Sequence, residues 1–197
     1  MTLSTALLSI DDVVLAGESE RPYRETQEES MNPVHRPTAA ALVIVLNLVG
    51  AASFAAGALQ EKDISLDLAN DAATAAVQFC QDKGWKVSAA VVDRAGLLKA
   101  LQRADGAGPH TVDASRRKAY TAASARNDTS AMLETIQKNP AAANLALVDG
   151  FLILGGGRPI RAGEEVIGAI GVGGAPGGQL DDQCATAGIE KIRDRLK

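Results

Sequence analysis

Between Leu59 and Lys197 the chain carries a single histidine, His110, where the loop Arg103-Ala-Asp-Gly-Ala-Gly-Pro109 meets an alanine-rich stretch with helical spacing. The positive end of a helix dipole favours neutral imidazole, the form that ligates haem iron. Arg116, Arg117 and Lys118 follow one to two turns on, at about the reach from an iron centre to a haem propionate. Cationic side chains bind such carboxylates by charge-assisted hydrogen bonds. His110, Thr111, Arg117, Lys118 and Tyr120 therefore form the candidate cofactor-binding set, with His110 as metal ligand. Met132, Tyr120 and the Thr111 hydroxyl stand as alternatives to it. Plainer readings stay open: a histidine whose ring only caps a turn, and a solvated cationic helix face paired with Asp113.

Other chemistries find little purchase. One histidine cannot build a histidine-rich zinc cluster, and Cys80 and Cys184 form no C-x-x-C pair. No nucleophile-elbow sequence surrounds a serine, so no residue is assigned a catalytic role. The glycine-rich run Gly171-Val-Gly173-Gly174-Ala-Pro-Gly177-Gly178 lies between a strand and a helix, as a dinucleotide loop would. Pro176, however, stands where the third glycine belongs. Asp181 and Asp182 at the helix start would repel a phosphate, and no second βαβ half follows. A tight loop joining strand to helix is the simpler reading.

The elements that would position these residues can be read from periodicity. A helix is expected from Asp63-Ile-Ser65 to about Lys83, with Leu68, Ala72, Ala75, Ala76, Phe79 and Cys80 on one face and Gly84 as its stop. Val87–Asp93 and Leu97–Arg103 read as strands joined by the turn Arg94-Ala-Gly96. A helix follows from about His110 to Arg126, and a shorter one from near Ser130 to before Pro140. Phe151–Leu154, Pro159–Arg161 and Glu165–Val172 are expected as three more strands. A last helix runs from Leu180 to the end, with Ala185, Ile189, Ile192 and Leu196 on one face. Short turns between successive strands favour an antiparallel sheet with helices packed on it, an α+β fold.

Aromatic residues make up only 3% of the chain while alanine and glycine abound, so the core must rely on close backbone approach. The stretch from Thr38 to Leu59 is uncharged. Arg36 precedes it, an apolar centre follows, and small residues close it at Ala56-Gly57-Ala58, the three parts of a secretory signal peptide. A permanent membrane anchor is the rival reading. The expected division is thus a polar, non-native or disordered extension over 1–30, a signal peptide over 31–58 with translation starting at Met31, and one domain over 59–197. Residues 1–58 hold seven acidic and three basic side chains and residues 59–197 seventeen of each, so the net charge of −4 lies wholly in the first part. A neutral domain lacks the basic field that nucleic-acid binding needs.

The motifs Val91-Val-Asp93-x-x-Gly96, Arg103-Ala-Asp105-Gly106-Ala107, Arg117-Lys118-Ala119-Tyr120-Thr121-Ala122, Gly155-Gly-Gly-x-Pro159-Ile160 and Gly168-Ala-Ile-Gly-Val-Gly-Gly174, followed by Asp181-Asp182, recur in order across residues 63–197. In this the chain resembles the GlcG/HbpS haem-binding-like family. The resemblance implies an antiparallel, about five-stranded sheet with helices on both faces, profilin-like, and assembly into homo-oligomers. It implies haem binding in some members, with a corrinoid as the weaker alternative. Secreted members are associated with haem capture and a membrane sensor partner. The expected function is a periplasmic or secreted haem-binding protein in capture, storage or sensing, rather than an enzyme. The alternatives are a small-metabolite catabolism accessory protein or enzyme of the GlcG type, and a ligand-free oligomeric interaction module. The family fold also places the two terminal helices on one side of the sheet. Cys80 and Cys184 could pair there, with two independently buried thiols as the favoured alternative.

Overall fold

The computed structural model describes Gly57 and residues 59–197. The expected extension over 1–30 and nearly all of the expected signal peptide over 31–58 lie outside the described residues. Ser65 opens the first helix, α1 (Leu66–Asp82), by accepting a hydrogen bond from Leu68 N at 3.2 Å, and Asp67 stands in the first turn. Both relieve the unpaired amides of a helix start. Strands β1 (Ser88–Asp93) and β2 (Leu98–Arg103) form the expected hairpin. Asp93 shapes its turn, because one carboxylate oxygen accepts from both Ala95 N and Leu97 N.

Helices α2 (His110–Ala125) and α3 (Thr129–Lys138) follow, then a short 3-10 stretch, Pro140–Leu147. Strands β3 (Gly157–Ala162) and β4 (Glu165–Gly173) lead to α4 (Gly178–Ile192), which ends in a 3-10 turn, Arg193–Arg195. The strands lie in the order β2-β1-β4-β3 and every neighbouring pair is antiparallel. Helices α1 and α4 pack on one face of the sheet and α2 on the other, which gives the α+β architecture expected. Among the described residues no helix is long and apolar enough to cross a membrane.

Small side chains let the layers approach closely. On the α1/α4 face Ala69, Ala72, Ala73 and Ala76 meet Ala185 and Gly188, with Ile160, Ile170 and Ile192 filling the space between. At Gly188 a β-carbon would fall 2.6 Å from Ala72 O, closer than packed atoms allow. On the other face a β-carbon at Gly171 would fall 2.1 Å from Ser115 O, so α2 can lie against β4 only over a glycine. Cys80 and Cys184, both fully buried, form a disulfide between α1 and α4 with Cα atoms 5.7 Å apart. The alternative of two independent thiols does not hold.

Two expectations need correction. The sheet has four strands among the described residues, because Phe151–Leu154 is not one of them. Three of its backbone groups are held by helix side chains instead. Leu152 N donates to the Thr121 hydroxyl at 2.8 Å, Arg117 donates to Phe151 O, and the Thr129 hydroxyl donates to Leu154 O at 2.8 Å. A four-residue apolar run has no period of its own, so it reads equally as strand or buried loop. The buried face of α1 is also rotated from the expected one. Ala69, Ala73 and Val77 join Ala72, Ala76 and Cys80 inside, while Leu68, Ala75 and Phe79 stay half-buried at its edge.

Candidate functional site

The loop before α2 is pinned at its base. Arg103 Nε donates to Ala107 O at 2.9 Å, and Ala104 and Ala107 are buried beneath it. The chain then enters α2 through Pro109, whose fixed φ suits a helix start. His110 is the first helical residue and stands exposed, its ring over Gly108, where a β-carbon would fall 2.7 Å from Cε1. The imidazole is therefore presented to solvent at one end of α2. Arg117 lies seven residues on, two turns along the same side of the helix. Half-buried, it donates to Phe151 O and so ties α2 to the segment after the 3-10 stretch. Tyr120 packs edge-to-face on Phe151 with ring centroids 6.2 Å apart, and fills the space beside Gly96 and Gly150.

The other two candidates point inward, which corrects the expectation that all five share one ligand surface. Thr111 is buried, and its hydroxyl lies 2.7 Å from both the Ser88 hydroxyl and Gly108 O. Lys118 is only 1% exposed; its ammonium donates to Asp181 Oδ2 at 2.7 Å and Val172 O at 2.9 Å. An ammonium held inside in this way is not offered to a propionate at the surface. Met132, the soft alternative, is buried in α3.

The Lys118–Asp181 pair is the feature that sequence reading missed. Asp181 also accepts from Ala175 N at 3.0 Å, so it fixes the loop after β4 as well as neutralising the lysine. Burial raises the Asp181 pKa, and the Lys118 charge opposes that shift. Burial likewise raises Asp182, against the hydrogen bond from Gly156 N at 2.8 Å. The signal was present in the spacing. Thr111, Ser115, Lys118 and Ala122 recur at four, three and four residues, the stripe that α2 buries. The glycine-rich run before α4 behaves as the simpler reading has it, a tight loop whose aspartates hold backbone amides.

On β2 the register places Leu101 opposite Ala90 and Leu98 opposite Val92. That is the face α2 covers further in, where Val92 meets Ala119 and Ala122. Contact of α2 falls mainly on β4, β1 and β3, and Leu98 and Leu101 remain 50% and 37% exposed. With Leu97 beside them, they make an apolar shelf along the Tyr120 end of α2.

Comparison with known proteins adds to this geometry. A family model described as "Haem degrading protein HbpS-like" matches residues 64–190. The chain is 36% identical over 111 residues to Protein GlcG of Escherichia coli K12, covering 55% of this chain and 80% of GlcG. A double mutant of HbpS from Streptomyces reticuli superposes with a TM-score of 0.64 at 37% identity, over 80% of this chain and 97% of HbpS. PduOC, solved as a haem complex, has the same fold: its TM-score is 0.62 at 23% identity, over 66% of this chain and 95% of PduOC.

Proposed function

The chain belongs to the HbpS-like family, and from that membership we propose that it is an exported haem-binding protein acting in haem capture, storage or sensing. The observation that carries the reading is the exposed His110 imidazole at the start of α2, with Arg117 two turns further on and the apolar shelf of Leu97, Leu98 and Leu101 near Tyr120. A tetrapyrrole needs those three chemistries: an iron ligand, a cation for a propionate, and an apolar surface for the ring. The matching family model is described as a haem-degrading, HbpS-like protein, and PduOC, a domain of this fold, was solved as a haem complex. In this reading Arg117 meets a propionate, while Lys118 and Thr111 support α2 from within.

Export draws support from two independent features. The uncharged stretch from Thr38 to Leu59 carries signal-peptide chemistry. The Cys80–Cys184 disulfide suits an oxidising compartment. A periplasmic or secreted protein with a bridge of this kind meets haem outside the reducing cytoplasm.

Haemin titration of the full chain, read by the Soret band, tests the proposal. A saturable Soret shift is expected, and His110→Ala should weaken binding and change the spectrum. If the variant matches the parent in affinity and spectrum, His110 is not the ligand. If the parent shows no saturable shift, the haem reading fails.

A further inference from the structure

At the far end of α2 from His110, four arginines line one depression of about 550 Å³: Arg126, Arg158, Arg161 and Arg193. The length of α2, about 24 Å at 1.5 Å per residue, separates it from the imidazole. Two of the four charges are matched. Arg158 pairs with Asp128 at 3.0 Å, and Arg193 pairs with Glu190. The other two have no carboxylate partner among the described residues. Arg161 is held by neutral carbonyls instead, donating to Arg126 O at 2.8 Å and Glu164 O at 3.3 Å. Its position is thereby fixed while its charge is not cancelled. Arg126 caps α2 with φ +52°, a left-handed conformation that glycine takes most easily and that a residue with a β-carbon takes only against steric resistance. An arginine thus lines the depression at a place where the fold alone would favour glycine. The rest of the lining is mixed: Asn127 and Thr186 are polar, Asp128 and Glu190 are the paired carboxylates, and Pro159, Ile189 and Leu196 give an apolar wall.

We propose that this depression binds a small dianion, a short dicarboxylate or a phosphate, between the Arg126 and Arg161 guanidiniums. The two unmatched charges call for two negative ones, because a guanidinium pairs with carboxylate or phosphate oxygens through its planar fork. The apolar wall suits a short hydrocarbon link between two carboxylates. The volume is within the range of small-molecule pockets.

Calorimetric titration of the full chain in low-salt, phosphate-free buffer tests this, with succinate, inorganic phosphate and acetate as probes. Saturable binding of succinate or phosphate is expected, at least tenfold tighter than acetate; the tighter of the two identifies the class of dianion. Arg126→Gly is the decisive variant. Glycine suits φ +52°, so its melting temperature should equal or exceed the parent's, while dianion binding falls at least tenfold. Arg116→Ala, on an outer face of the same helix, should bind as the parent does. The proposal is overturned if neither dianion binds saturably, if acetate binds as tightly, or if Arg126→Gly leaves binding unchanged. Haemin binding at the other end of α2 stands or falls separately.

Discussion

Lys118 and Asp181 neutralise one another inside the fold, 2.7 Å apart, and each also holds a backbone group, Val172 O and Ala175 N. Removing one charge alone leaves the other desolvated. Lys118→Met should therefore lower stability by about 3 kcal/mol in urea unfolding. Adding Asp181→Asn, which still accepts from Ala175 N, should recover much of that loss. If the double variant is as unstable as the sum of the two singles, the coupling is not electrostatic. Asp182 gives a pH signature. Its folded pKa is raised above the ordinary 3.8 by burial, so the folded state holds the proton more tightly than the unfolded chain. Its contribution is then complete below pH 3.8 and is lost as pH rises through the raised value. Relative to Asp182→Asn, the parent should lose stability over that window and be level above it; a parent that instead gains would reverse the assignment. At this scale the sequence is informative about type and weak about direction. His110 reads as a helix-start imidazole and is one. Lys118 reads as a surface cation because lysine usually is, and only its four-three-four spacing with Thr111, Ser115 and Ala122 betrays the buried stripe.

Helices α1 and α4 are joined covalently by the Cys80–Cys184 bridge, and Arg195, just beyond α4, forms ion pairs with Asp67 and Asp71 of α1. The ion pairs are largely exposed and contribute little. The bridge spans a sequence separation of 104 residues. In the chain-entropy account so long a loop stabilises by about 4.7 kcal/mol, so dithiothreitol or Cys184→Ala should lower unfolding stability by roughly that much. Alkylation before and after reduction checks the premise: unreduced, denatured protein should show no reactive thiol at either position. The helices and the β1–β2 hairpin are legible because each has a period and a stop, such as the Ser65 cap and the Asp93-Arg-Ala-Gly96 turn. Phe151–Leu154 is illegible for the opposite reason. It is too short to show a period, and its partners Arg117, Thr121 and Thr129 lie between 25 and 34 residues away in the chain, beyond any local pattern.

Taken as a whole, the described molecule covers its sheet unevenly. Two helices cover one face, whereas on the other α2 sits mainly over β4, β1 and β3 and leaves the β2 shelf open. Leu147 and Val148 at the end of the 3-10 stretch are also exposed, at 79% and 45%. Exposed apolar surface of this kind favours association in water, because burying it removes hydration at about 25 cal/mol per Å². β2 is also an edge strand, whose free backbone groups invite pairing. Self-association of the full chain is therefore expected, and the β2 shelf is the surface most suited to it. Leu98→Asp with Leu101→Glu places two charges on a face that is already solvated in the isolated chain, so folding should survive. Light scattering should show an oligomer for the parent at micromolar concentration and a smaller species for the double variant, with circular dichroism unchanged. A parent that is monomeric, or a variant of unchanged mass, rules out this shelf as the contact. Haemin titration of the same variant separates the two uses of the surface. Loss of haemin binding at unchanged mass assigns the shelf to the ligand, whereas loss of mass with haemin binding intact assigns it to a second copy of the chain.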